Sequence, residues 1–465
     1  MRVALKDVRF FERPVVLRLP FKFGAVTLTH APHVFVRAEV EVDGRVVRGV
    51  SAELLAPKWF DKNPALTNEQ NFDQLRTSLR IAAGHYLAAT EPATAFALHE
   101  GLAPAHTRAC AETGLNGLIA SYGLALVDRA ILDALCRGAG VSALDAVRAN
   151  LPGITAGPAP DLYGEDLDAF LASLRRPDTI AVRHTVGMAD AIAEADVAER
   201  LGDGLPESLE GAVATYGHRH FKLKVGGDVA ADVDRLMAIA GVLDRIDEPY
   251  MVSLDGNEQY ADAAAVMALV EAVRAEPRLA RLWSSTSYLE QPIARDRAAD
   301  EPVHAIAAHV PVAADESDAH LGVFPVFRAL GYRGMSSKSC KGFYRALLNA
   351  ARVAAWNRDG GAFFMIAEDL TTQPGVSMQQ DFLQAALVGA THVERNGHHF
   401  VDGFADAPAS EAQRYLAAHP DLYVEDGGRV RLRIANGSAS LASLDVPGLA
   451  NATEPDWSSL AEMPG

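Results

Sequence analysis

The sequence predicts an α/β chain in which a closed barrel of parallel strands follows an N-terminal α+β unit, and three observations carry that prediction. From about residue 179 onward, short apolar runs rich in β-branched and aromatic residues alternate eight times with helical stretches. No G-x-G-x-x-G turn follows any of these runs, which disfavours the doubly wound open sheet that is the main competitor. Charged residues recur at the ends of successive runs, Lys224, Asp255, Glu290, Asp315 and Lys338, each about one strand plus one helix after the last. In a barrel such residues return to the same rim, where reactive side chains project.

In chain order, "HVFVRAEVEVDGRVVRGV" places Val34, Val36, Ala38, Val40 and Val42 on one face of a strand and ends it at the hairpin dipeptide Asp43-Gly44. In "YGLALVDRAILDALCRGAG", Leu124, Val127, Ile131 and Leu135 recur at helical spacing, with Gly138 as the expected stop. Residues 1–155 are therefore expected to form the α+β unit. The Pro/Gly/Asp-rich stretch within 156–178 reads as a linker or surface excursion. The barrel is expected over 179–405, with strands in "TIAVRHTVG", "HFKLKV", "YMVSLDG", "SYLEQPI", "VPVAADES", "MSSKSCKG", "FFMIAED" and "HVERNGHHF". The last segment, 406–465, contains "DGGRVRLRIANG", a hairpin outside the barrel, and is expected to fold back onto the N-terminal unit.

Length and composition narrow the function classes. A chain of 465 residues exceeds one typical core, and 49% hydrophobic with 22% charged residues is an ordinary globular balance. The formal charge of −17 repels phosphate backbones and anionic lipid, so neither nucleic acid nor membrane is an expected partner. Cys110, Cys136 and Cys340 are too few and too scattered for a disulfide framework. The start "MRVALKDVRF" carries no apolar signal segment and no run approaches a membrane span, so a reducing cytoplasm is the expected location.

Asp255, Glu290 and Asp315, carboxylates from adjacent strands with no His or Cys cluster beside them, suit a hard divalent cation, Mg²⁺ with Mn²⁺ as a substitute. Such an ion neutralises the acids and accepts a small substrate carboxylate, whose second charge develops as an enediolate when the α-proton leaves. In "HFKLKV" the two-residue period points Lys222 and Lys224 to the same side, into the barrel. Burial and the neighbouring Lys222 ammonium are expected to disfavour the charged form of Lys224, so that Lys222 tunes and Lys224 reacts. Lys338 lies four strands across the mouth and faces the other side of the substrate plane. Two lysines that flank one carbon suit racemisation or epimerisation. Lys341 is a rival second base.

"KLK" at 222–224, "LDGN" at 254–257, "EQPI" at 290–293, "ADES" at 314–317 and "KSCKG" at 338–342, in this order, resemble the enolase superfamily and its mandelate racemase/muconate-lactonising subgroup. The resemblance implies a modified TIM (β/α) barrel with an α+β capping domain completed by the C-terminal segment. It also implies metal ligands Asp255, Glu290 and Asp315, an acid/base pair Lys224 and Lys338, and a homo-oligomer. "DGN" stands where the family usually has Asp-Ala-Asn, Phe343 replaces a second glycine after Lys341-Gly342, and "VERNG" lacks the Asp-x-Asp of dipeptide epimerases.

Candidate substrate-binding residues are Lys58, Trp59 and Phe60 in a loop of the capping unit, Asn257 in the third-strand motif, and His184, Glu368, Asp369 and Glu394 at strand ends. Each has an ordinary alternative: a structural histidine for His184, helix capping for Glu368 and Asp369, half-buried loop aromatics for Trp59 and Phe60. The same enediolate also serves a lyase or a cycloisomerase, and a barrel that binds acids without catalysis is a third reading. Substrate identity is not legible.

Overall fold

Alternating burial along three long strands builds the first sheet. The computed structural model describes residues 1–24 and 26–465, and its N-terminal strands β1 (Val3–Phe23), β2 (Val26–Val42) and β3 (Arg45–Leu54) form an antiparallel meander. Val34, Val36, Ala38, Val40 and Val42 are fully buried, as their shared parity requires. Asp43 (φ 45°) and Gly44 (φ 83°) both take positive φ in the two-residue turn joining β2 to β3, the conformation that matches the strand twist. Helices Asn68–Ala88, Ala95–Glu112 and Gly117–Ala139 accompany this sheet. The last of these does not stop at Gly138. It runs to Ala139 and ends at Gly140, whose φ of 70° is the left-handed cap, whereas a Cβ at Gly138 would stand 3.1 Å from Val42 Cγ1. Gly138 therefore serves close approach of helix to sheet.

Residues 156–178 are not a bare linker. They carry a turn at Pro160–Leu162 and a helix at Leu167–Ser173, with Leu162 and Leu171 buried. Arg352 on the helix Phe343–Arg358 grips Asp161 through two hydrogen bonds of 2.7 and 2.9 Å.

All eight expected runs are strands of one closed parallel barrel: β4 (Thr179–Val186), β5 (His220–Lys224), β6 (Met251–Asp255), β7 (Thr286–Glu290), β8 (Val312–Ala314), β9 (Gly334–Ser337), β10 (Phe364–Ala367) and β11 (His392–Arg395). Closure is made by β11 against β4, with Glu394 opposite Arg183. Helices follow the strands, among them Val229–Leu243, Ala263–Ala275 and Phe343–Arg358. Tyr288, Ala313 and Ile366 pack together as an apolar cluster, with Met251 and Phe364 against it. Tyr288 lies two residues before Glu290 and Ile366 two before Glu368, so this cluster is an inward-facing floor beneath the charged layer.

The C-terminal segment divides. The hairpin of β12 (Tyr423–Asp426) and β13 (Arg429–Leu432) stays beside the barrel, where Arg431 binds Asp402 and the carbonyl of Asp203. β14 (Ser438–Ser440) pairs antiparallel with β4, and β15 (Ala461–Glu462) pairs with β1. Other parts of the segment also reach the N-terminal unit: Arg13 donates to Glu411 (2.7 Å), the Leu449 N–H donates to Asp133 (2.7 Å), and the Trp457 ring lies 5.3 Å from Phe11. Among the described residues no helix is long and apolar enough to cross a membrane, and the three cysteines are unpaired and buried.

A buried polar cluster joins sheet to barrel. Arg129 donates to Glu53 (3.2 Å) and Gln380 (3.1 Å), and Ser339 donates to Glu53 (2.7 Å). Burial pushes the Glu53 carboxyl up to about 7, with Arg129 opposing. A carboxyl raised in the folded state binds its proton more tightly there, so its ionisation costs stability as pH climbs from the unfolded value through about 7. Glu53→Gln is therefore expected to flatten the fall in stability between pH 4.5 and about 7 by up to ~3 kcal/mol, measured as the difference between wild-type and variant denaturation midpoints. A parallel pair of curves counts against this assignment.

Candidate active site at the barrel mouth

Strand parity decides which side chains enter the barrel. On β5, Lys222 and Lys224 point inward, and both are buried. Lys222 reaches four carboxylates: Asp255 (2.9 Å), Glu290 (2.8 Å), Glu394 (3.2 Å) and Glu368. Lys224 donates to Asp255 at 2.6 Å. Across the mouth Lys338 donates to Asp315 at 2.8 Å, and its ammonium lies 4.1 Å from the centre of the Trp59 ring.

Lys222 does not face Lys224 as a bare ammonium. Burial alone would lower its pKa, but Asp255 and Glu290, followed by Glu368 and Glu394, hold it well above the usual lysine value. Its place is that of a counter-charge at the centre of the acids, which corrects the expectation that it simply repels a proton from its neighbour. Lys338 is likewise held above the ordinary lysine value because Asp315 outweighs the cost of burial.

The three carboxylates expected to bind a cation sit at neighbouring strand ends. Asp255 is held below the ordinary carboxylate range, since Lys222 and Lys224 outweigh its burial, and Asp315 lies well below it because of Lys338 and Lys341. Glu290 is pushed well above that range by burial and by the negative charges of Asp255 and Glu368. Its Oε2 is buried and has no hydrogen-bond partner; the same holds for Asn257 Oδ1 and Glu316 Oε2. Orphaned hard oxygens beside an under-compensated acid fit a divalent cation. The three acids do not form a set whose donor atoms all lie within 4.8 Å of one another; lysine ammonium groups stand between them.

Lys341 lies in the turn Ser339–Lys341, beyond the end of β9, where strand alternation no longer governs it. Its amine donates to the Asp315 carbonyl (2.6 Å) and pairs with Asp315 Oδ1 (2.9 Å). It holds a carboxylate in place, and it does not line the cavity that Lys224 and Lys338 share. That cavity, about 30 Å³, is walled by Phe21, Phe23, Trp59, Asn257, Asp369 and Glu394 among others.

The other candidates separate. Asn257, with φ 40°, donates its N–H to Asp255 (2.9 Å) and its amide to Glu316 (3.1 Å), so it both lines the cavity and orients two acids. Glu394 lines it too, accepting from Thr185 (2.6 Å) and from the Asp369 N–H (3.0 Å). Asp369 touches the cavity but its carboxylate is engaged by Arg395 (3.0 Å) and Thr372 (2.8 Å). Glu368 lies deeper, paired with Arg183 and Lys222, and burial raises its carboxyl to about 7.

Besides Glu368, three candidates do not belong to the cavity wall. His184 points to the outside of the barrel, because Arg183 and Thr185, on either side of it in β4, are the inward residues. Lys58 (φ 61°) donates to the carbonyls of Asn63 (2.8 Å) and Leu66 in its own loop. Phe60 packs edge-on against Trp59 and Tyr122. Arg295 fixes this loop by donating to the carbonyls of Trp59 (2.9 Å) and Phe60 (3.0 Å) while bound to Glu258.

Sequence reasoning missed Thr185, Arg183, Glu316 and the aromatic pair Phe21 and Phe23. The alternation in "PFKFG" was the available signal for the last two.

With this geometry in view, residues 204–411 match the model of the family described as enolase C-terminal domain-like. No curated protein matches the chain. Among solved structures it is similar to a muconate lactonizing enzyme from Pseudomonas fluorescens complexed with muconolactone (17% identity, 99% of this chain and 97% of that one, TM-score 0.58). It is also similar to an enolase from Bradyrhizobium complexed with magnesium and mandelic acid (16% identity, 97% and 96%, TM-score 0.61). A third is the L-Ala-D/L-Glu epimerase from Bacillus subtilis in a substrate-liganded complex (15% identity, 96% and 98%, TM-score 0.60). At these identities the likeness concerns the fold.

Proposed function

We propose, on the match of residues 204–411 to the enolase C-terminal domain-like family, that the chain is a racemase or epimerase of the enolase superfamily that removes the proton α to a substrate carboxylate. The observation that carries this reading is that Lys224 at the end of β5 and Lys338 directly after β9, four strands apart in a ring of eight, line one cavity from opposite walls. A carbon held between them presents one face to each amine, so one lysine takes the proton while the other returns one.

Asp255, Glu290 and Asp315 are the residues that would hold a divalent cation, magnesium by the hardness of their oxygens, and that cation supplies the positive charge that offsets a substrate carboxylate as its α-proton leaves. Around it the chain's own groups set the geometry. Lys341 and Asn257 orient Asp315 and Asp255, Lys222 offsets the deeper acids, and Trp59, Phe21 and Phe23 exclude water above the reacting carbon. The apolar lid suits small carboxylates with an uncharged side.

Incubation with dipeptides, N-acyl amino acids and sugar acids in D₂O with Mg²⁺ is expected to place deuterium at the α-carbon of one class, read by proton NMR, without change in connectivity. A change in mass or connectivity assigns the chain to lyase or cycloisomerase chemistry instead. Glu290→Gln is expected to lower this exchange by at least about 10²-fold, since a bound cation contributes several kcal/mol of charge stabilisation. Full exchange in that variant, or in wild-type enzyme held in excess EDTA, removes the metal-dependent reading.

A further inference from the structure

Outside the mouth, the barrel carries a second cluster of ligand-type side chains that the chemistry above does not use. His184 on β4, His218 in the turn before β5 and His398 in the short helix Gly397–Phe400 after β11 are all buried, and one ring nitrogen from each lies within 4.8 Å of the others. Among the described residues this is the one set of three His, Cys, Asp or Glu side chains that meets that distance. We propose that these three imidazoles form a site for a borderline transition metal, zinc first, distinct from the carboxylate centre.

Several independent features point the same way. His184 Nδ1 and His398 Nε2 stand 3.3 Å apart. That is about the edge of a tetrahedron with zinc–nitrogen bonds of ~2.0–2.1 Å. His218 Nδ1 lies 3.3 Å from the Val182 carbonyl, an outer hydrogen bond that fixes its tautomer and leaves Nε2 as the lone-pair nitrogen. That Nε2 is buried without a partner. An unpaired imidazole nitrogen in an apolar interior is costly, and a metal satisfies it. Burial also holds all three rings neutral, the form that binds metal: His184 falls to about 4, and His218 and His398 lie well below the usual histidine value.

A small crevice walled by Leu205, Tyr216, Met378, His398 and Arg431 among others adjoins one of the three ligands. Nitrogen-only donors exclude Mg²⁺ as the occupant and favour Zn²⁺, Co²⁺, Ni²⁺ or Cu²⁺. Mechanically the ion would clamp the seam where the barrel closes, because β4 and the segment after β11 are the two sides of that closure and the turn before β5 is the third holder. This inference stands apart from the proposed reaction, since none of its ligands touches the cavity between Lys224 and Lys338.

The test uses the full chain without a histidine tag, stripped of metal, then titrated with Co²⁺ in excess Mg²⁺ that keeps the carboxylate centre occupied. The expected result is one equivalent of cobalt with the visible absorption of a four-coordinate nitrogen site, displaced by Zn²⁺. His218→Gln and His398→Gln are each expected to weaken it about 100-fold. Asp255→Asn with Glu290→Gln is expected to leave it intact. Zinc should also raise the thermal midpoint of wild type and fail to do so in either histidine variant. Should those variants not fold, zinc-edge X-ray absorption of the wild-type chain decides: a nitrogen shell with imidazole outer scattering supports the site. Cobalt uptake lost with the two acids but indifferent to the histidines, an oxygen-only shell, or no bound ion under excess Mg²⁺ overturns it.

Discussion

Replacing Lys224 or Lys338 by alanine is expected to lower racemisation by about 10²–10⁴-fold, the usual contribution of a positioned acid or base. The two variants should not behave alike in D₂O. Each retains one amine and therefore one face of the substrate carbon, so each is expected to exchange the α-proton of one stereoisomer with retention while inversion is lost. The distinction follows from placement: Lys224 is paired with Asp255 on one wall, Lys338 with Asp315 and the Trp59 ring on the other. Chiral chromatography of the product beside NMR of its α-carbon measures both quantities. Undiminished inversion in both proteins would leave no role for the pair.

The second large effect is on stability. Arg183 is fully buried on β4, donates to His392 (2.6 Å), to the Ala367 carbonyl (3.2 Å) and to Glu368, and lies 5.7 Å from the centre of the Tyr288 ring. It thereby joins β10 and β11 to β4 at the place where the ring closes. Arg183→Leu removes one partner of a buried pair and leaves Glu368 with Lys222 alone, so a loss of about 3–5 kcal/mol is expected. Neutralising the abandoned acid as well, in Arg183→Leu with Glu368→Gln, should recover part of that loss. Chemical denaturation of wild type, single and double variants measures the pattern; a double variant weaker than the single by the full cost of Glu368→Gln would mean the two residues do not interact.

How much of this was legible beforehand follows from what each signal encodes. The eight barrel strands are local objects, short apolar runs bounded by turns, and their order in sequence is their order in the ring. The five charges at their ends inherit that order, which is why Lys224, Asp255, Glu290, Asp315 and Lys338 come to one mouth. Parity is harder. In "VRHTV" either His184 or the pair Arg183 and Thr185 can face inward, and only the register of β4 against β11 and β5 decides it. The partnership of Arg183 with Glu368 joins residues 185 apart in sequence, across the closure, and no local pattern announces it. In the loop at 58–60 composition marks the aromatics, but which ring meets the cavity is a matter of tertiary contact: Trp59 lies under the Lys338 ammonium, whereas Phe60 packs on Tyr122. The helix beyond Gly138 shows the same limit, since a glycine kept for close approach reads in sequence like a terminator.

The cluster of Tyr288, Ala313 and Ile366 makes the barrel a blind well. A ligand must then enter and leave on the side walled by Phe21, Phe23 and Trp59. Bulkier ligands are therefore expected to leave past those three rings more slowly than small ones.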